Sequence, residues 1–210
     1  MYKSFRSILL LVLCLFVGCG SHLEYVKESG TYDHVLAKEI PIFVASGMVL
    51  PEHWRAEIYD ELARFPQAHK LLAAVNVSLS LTHHVHGELQ GLWDGDTIFL
   101  AVKKMPVLRH VLQHELAHVI YDTTTGDQQE AWRMLYYKRL KENGWDTRPD
   151  AAPALLPANF PTIYSMTNSK EFVAEHLEYL LTDTPDALKR FQEEYELLSI
   201  QGYLPKDWKY

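Results

Sequence analysis

The pentad His114-Glu115-Leu116-Ala117-His118 constrains this chain more than any other stretch, because its chemistry depends on a helix. Positions i and i+4 of a helix share one face, so His114 and His118 can aim two imidazoles at one ion. Glu115 projects about 100° round the helix from His114, near enough to reach a water on that ion without binding it. So arranged, the pentad is the H-E-x-x-H signature of metal-dependent hydrolysis. With 11 histidines in 210 residues the pattern also arises by chance. The rest of the chain has to supply the helix, a third ligand and a compatible compartment.

The flanking pattern predicts the helix. Pro106 opens it, Leu108, Val111, Leu112, Leu116, Val119 and Ile120 supply its apolar positions to about Tyr121, and Gly126 follows its end. Upstream, the run from Pro51 to Pro66 reads as an amphipathic helix with Trp54, Ile58, Leu62 and Phe65 on one face. A second short turn is expected at 71–74. The period then changes to two, with Val75, Val77, Leu79 and Leu81 alternating with polar residues as in a half-buried strand. Two further strands are expected at 88–93 and 97–102, joined by the hairpin turn Asp94-Gly95-Asp96.

Downstream, Asp127 with Glu130 reads as a capping box for a helix through about Lys141, closed by Gly144. Four prolines make 146–162 a loop. Asn168 or Ser169 caps a helix through Leu181, and Thr184-Pro185 starts a last helix that ends before Gly202. A helix, a small sheet, an active-site helix and a C-terminal helical part make an α+β order.

The N-terminus reads as a targeting segment. Lys3 and Arg6 precede a short apolar run, Ile8 to Val17, that is too short for a span of about 20 residues. Phe16-Val17-Gly18-Cys19 is similar to the lipobox of bacterial lipoproteins, which implies cleavage after residue 18 and acylation of Cys19. Two acyl chains suffice for stable anchoring. The expected organisation is therefore a signal peptide at 1–18, a lipidated tether at 19–34 and one domain at 35–210. About 190 residues are enough to bury roughly 70% of the unfolded chain's surface.

That processing removes Cys14 and blocks Cys19, the only two cysteines, so any metal site must use His and carboxylates. It also removes two positive charges, taking the net charge from −7 to −9. An acidic body without Lys/Arg clusters argues against nucleic acid as a partner. The expected location is the bacterial cell envelope, lipid-anchored and extracytoplasmic. Gly20 after Cys19 lacks the Asp that often retains lipoproteins at the inner membrane, which leaves the outer membrane open.

A catalytic zinc takes three protein ligands and leaves the fourth position for water. No third His follows at the longer metalloprotease spacing, since position 121 is Tyr and position 124 is Thr. The candidates are Glu171 and Glu175, four apart on one helix face, so that one can ligate while the other supports it from behind. Tyr164-Ser165-Met166-Thr167-Asn168-Ser169-Lys170-Glu171-Phe172-Val173-Ala174-Glu175 closely resembles the third-ligand segment of the anthrax lethal factor catalytic domain. The clostridial Pro-Pro endopeptidases share that segment in part.

The resemblance spans about residues 70–200 and is specific at two places, the pentad and this stretch. It implies a zincin-like fold of the gluzincin type and one Zn2+ per chain. By it, His114, His118 and Glu171 are the metal ligands and Glu115 the general base. Tyr164 is the hydrogen-bond donor to the tetrahedral intermediate, and Glu175 lies behind the ligands. The large targeting domains and the substrate-reading loops of lethal factor have no counterpart here, so its specificity does not carry over.

The implied activity is a zinc-dependent endopeptidase acting on a protein or peptide substrate. Asp122, one turn beyond His118, is a candidate to orient a ligand histidine, and equally a surface acid at a helix end. His84 and His86 would share one face of a strand with His83 on the other, a poor three-ligand geometry that reads as rim or surface. Two other readings are weighed against the enzyme: a zinc-binding lipoprotein that serves only as a partner-binding module, and an accessory lipoprotein with no metal. Glu115 and Tyr164 favour the enzyme, since a structural metal site requires neither.

Overall fold

The alternating runs become a mixed sheet in the computed structural model, which describes residues 25–27, 40–79, 81–83, 87–101, 108–145, 156–182, 184–205 and 208. The described strands are β1 (Tyr25–Lys27), β2 (Ile42–Ala45), β3 (Ala74–Ser78), β4 (Leu81–His83), β5 (Gly87–Leu89), β6 (Gly91–Trp93) and β7 (Thr97–Ala101). Five of them form one sheet in the order β1-β2-β3-β7-β6. The inner strands β2, β3 and β7 run parallel, while β1 and β6 run antiparallel to their neighbours at the two edges. Strands β4 and β5 form a separate antiparallel ribbon.

Helices α1 (Glu52–Arg64), α2 (Leu108–Thr123), α3 (Gly126–Glu142), α4 (Ser169–Thr182), α5 (Thr184–Arg190) and α6 (Gln192–Ile200) complete the described elements, with 3-10 turns at Pro66–Lys70 and Tyr164–Met166. Val75 and Val77 of β3 and Ile98 and Leu100 of β7 are fully buried, as a period of two with one covered face requires. The helix of the pentad is α2. It packs on β6 and β7 of the sheet, on α1, and most extensively on α4. Leu112, Leu116, Ala117 and Val119 leave no surface exposed, so α2 is a central helix and its polar residues are held by neighbours on both sides. Among the described residues no helix is long and apolar enough to cross a membrane.

Several expectations are corrected. The turn expected at 71–74 lies earlier, at Pro66–Lys70, and strand β3 ends at Ser78 rather than running on to Leu81. The strand expected at 88–93 is broken at Gln90, because its first half pairs with β4 and its second half with β7. The capping box of α3 is Thr125 with Gln128, two residues before the expected pair: the Thr125 side chain accepts from the Gln128 N–H, and the Thr125 N–H donates to Gln128 Oε1 at 2.9 Å. The last helix is two, interrupted at Phe191, whose backbone leaves the helical region (φ −124°, ψ 45°) while its side chain is fully buried. Residues 25–27, expected within the tether, add edge strand β1 to the body.

The hairpin turn is as expected. Asp94 N–H donates to Thr97 O at 3.0 Å, and Gly95 takes the positive φ (75°) that this turn needs. Helices α3 and α6 are tied by Arg139, which donates to both oxygens of the fully buried Glu194 at 2.6 and 3.1 Å.

Candidate metal centre and active site

The site forms where the middle of α2 faces the first turn of α4. Asn168 caps α4, its Oδ1 accepting from the backbone N–H groups of Lys170 (2.9 Å) and Glu171 (3.1 Å). That cap aims the Glu171 side chain at α2. Glu171 Oε2 stands 3.1 Å from His114 Nε2 and 3.4 Å from His118 Nε2, and the two Nε2 atoms are 3.2 Å apart. A tetrahedral zinc with bonds of roughly 2.0–2.1 Å holds its donors about 3.3 Å apart, so this triangle fits such an ion. Two imidazole nitrogens and one carboxylate oxygen also match zinc better than magnesium or calcium, which take oxygen ligands. All three side chains keep some exposure, 12% for His114, 13% for His118 and 15% for Glu171, which leaves an approach from solvent.

Behind the triangle, His114 Nδ1 faces Glu175 Oε1 at 3.4 Å and Glu178 Oε2 at 3.5 Å. Carboxylates there favour the tautomer with the proton on Nδ1 and the Nε2 lone pair forward. The other Glu175 oxygen accepts from Thr162 Oγ1 at 2.7 Å, and that hydroxyl accepts from Ser165 N at 3.1 Å. Glu175 lies against the Nδ1 side of His114. Glu178 and Thr162 were not foreseen. The only local signal for Glu178 is that Glu171, Glu175 and Glu178 follow the i, i+4, i+7 stripe of one helix face.

Among the described residues Asp122 is hydrogen-bonded to no histidine. Its Oδ2 accepts from Trp93 Nε1 at 2.8 Å and its Oδ1 from Lys170 Nζ at 2.9 Å. The carboxylate joins the edge strand β6 to α4 beside the site. Tyr164 sits on the 3-10 turn before α4, about half exposed, with its ring stacked on His114 (centroids 6.1 Å apart, 30° between planes). Glu115 is almost fully buried against β6, with the Trp93 backbone N–H hydrogen-bonded to its carboxylate.

The electrostatics follow from this crowding. Burial alone would lower the His114 pKa, but hydrogen bonds to Glu171, Glu175 and Glu178 outweigh it and raise the pKa well above the usual imidazole range. Glu171 is the reverse: burial would raise it, and its hydrogen bonds to His114 and His118 hold it at about 2. The cluster therefore favours positive charge at its centre. Burial pushes Glu115 upward against the opposing pull of the two histidines. Tyr164 is raised by burial and by the Glu171 charge.

These groups line a cleft of about 490 Å³ whose walls include Gly91, Trp93, Glu115, Tyr164 and Lys170. His83 ends β4 opposite Gly87; its side chain, and His84 and His86, lie outside the described residues. So does Cys19. Comparison of the chain with protein families, with curated proteins and with solved structures finds no match.

Proposed function

We propose that this chain is a zinc-dependent endopeptidase of the zincin class, with His114, His118 and Glu171 as its metal ligands. One observation carries the reading: two Nε2 atoms and one carboxylate oxygen, from two helices, form a triangle of 3.1 to 3.4 Å edges with a buried glutamate adjoining it on α2. A purely structural metal site has no use for that glutamate.

Bound zinc supplies Lewis acidity, which polarises a peptide carbonyl and makes water a nucleophile near neutral pH. Glu115 takes the proton of the attacking water and passes it to the leaving amine, and its raised pKa brings it closer to the working pH of a general base. The Tyr164 hydroxyl donates to the oxygen that gains charge as the carbonyl becomes tetrahedral. Glu175, braced by Thr162, holds His114 in register. The cleft between β6 and the metal ligands receives the peptide in an extended form. In the same reading Cys19 carries a lipid anchor and the body works outside the cytoplasm.

The test is digestion of a peptide library by the wild-type protein beside Glu115→Gln, with metal analysis of both. About one zinc per chain in both proteins, with cleavage by the wild type alone, is expected. Less than about 0.2 zinc per chain after gentle purification, or undiminished cleavage by Glu115→Gln, overturns the reading.

A further inference from the structure

Gly91 opens the edge strand β6, and its φ is not in the left-handed region, so backbone freedom is not what requires glycine there. Space is. A Cβ at this position would lie 2.5 Å from Glu115 Oε1, 2.9 Å from Glu115 Cγ and 2.6 Å from Val111 Cγ1. The strand backbone therefore presses directly on the carboxylate of the pentad. Two residues on, the same strand gives its Trp93 backbone N–H to that carboxylate and its indole N–H to Asp122, which Lys170 holds from the far side. The contact between Gly91 and Glu115 is thus set by a strand pinned at both α2 and α4.

We propose that Gly91 is a positioning residue for Glu115: the bare backbone is the wall that sets where the carboxylate rests, and any side chain there displaces it. The inference deepens the peptidase reading and rests on it for the role of Glu115. The direction of displacement follows from stiffness. Val111 is β-branched and has little freedom at χ1, whereas the Glu115 carboxylate ends a chain of three rotatable bonds. An added methyl moves the carboxylate before it moves the helix. A shift near 1 Å in a reacting group costs on the order of 100-fold in rate.

Two measurements test this on the full chain. In the zinc-loaded protein, Gly91→Ala is expected to keep its zinc and a KM within about threefold of wild type while kcat falls about 100-fold. In a Val111→Ala background it should cost nearly as much as in wild type. Full recovery through Val111→Ala, or kcat within threefold of wild type for Gly91→Ala, overturns the proposal.

The second measurement needs no activity. In the metal-free protein Gly91→Ala should lower Tm by about 5 °C, and by clearly less when Glu115 is also Ala, the remainder being the Val111 contact. Equal losses in the two backgrounds overturn the contact itself. If the wild type cleaves nothing while this coupling stands, the peptidase reading fails and the steric relation survives.

Discussion

The indole of Trp93 donates a 2.8 Å hydrogen bond to Asp122, and this contact helps tie the edge strand β6 to the helix that carries the pentad. Because Asp122 also takes Lys170, three elements meet at one carboxylate on the rim of the cleft. Among the described residues strand β6 has a sheet partner on one side only, so these side-chain ties set how firmly it rests against Glu115.

Trp93→Phe keeps an aromatic side chain and removes the donor. Stability is expected to drop by about 1 kcal/mol, the usual net worth of one such bond, with zinc content unchanged. Activity should fall by more than stability explains, on the order of tenfold, because the strand that backs Glu115 loosens. Urea unfolding read beside kcat checks the split; a loss of zinc instead would assign Trp93 to the metal site.

The two carboxylates behind His114 are not equivalent to the one in front. Glu171→Ala should lose most of the zinc. Glu175→Gln should weaken binding by roughly 10- to 100-fold, and Glu175→Gln with Glu178→Gln should weaken it further, since either carboxylate can take the Nδ1 proton. Competition against a coloured chelator measures all three. Zinc lost through Glu175 and retained without Glu171 would move the ligand by one turn of α4.

The buried pair Arg139–Glu194 is structural. Glu194→Gln strands a guanidinium whose remaining partners, Glu142 and Glu193, are partly exposed. A loss of about 3 kcal/mol is expected, at the low end for breaking a buried ion pair because those partners persist. Denaturant unfolding reads it, and zinc stoichiometry in the folded protein should not change.

His176 predicts acid sensitivity independent of the metal. It is fully buried, its Nδ1 lies 2.6 Å from Phe172 O, and its ring packs between Phe172 and Phe191. Burial lowers its pKa to about 3, against about 6.5 unfolded. Between those values the unfolded chain binds the extra proton. The stability His176 contributes is therefore full above about pH 6.5 and is lost as pH falls toward 3, at up to about 1.4 kcal/mol per pH unit. His176→Leu should flatten that slope in the metal-free protein between pH 7 and pH 4; an unchanged slope would place the proton uptake elsewhere.

What could be read in advance was local. The pentad helix, the β6–β7 hairpin and the cap at Asn168 each depend on residues within a few positions, and all three stand in the structure. The misses came from packing. Phe191 breaks a continuous helical pattern because its ring is drawn into the pocket around His176 and Tyr179. Gln90 splits one extended run because its halves serve two different sheets. The α3 cap slipped by two residues because Thr125-x-x-Gln128 and Asp127-x-x-Glu130 satisfy the same rule. Asp122 has no local sign of its true partners, which lie 29 and 48 residues away. Gly91 reads in sequence as a weak strand residue; only the approach of Glu115 across the sheet edge shows what its missing side chain is for.

Strand β1 begins at Tyr25, six residues after Cys19. Fully extended, such a segment reaches about 20 Å, less than the span of a small domain. On the proposal that Cys19 is acylated, such a leash would keep the body close to the lipid. On the further proposal that the chain is a peptidase, its targets would be proteins whose cleavable segment emerges close to the same bilayer. Turnover would follow how densely enzyme and target share that surface, not their concentration in the surrounding volume, and detaching the body from its leash would slow cleavage of such targets while leaving that of free peptides untouched.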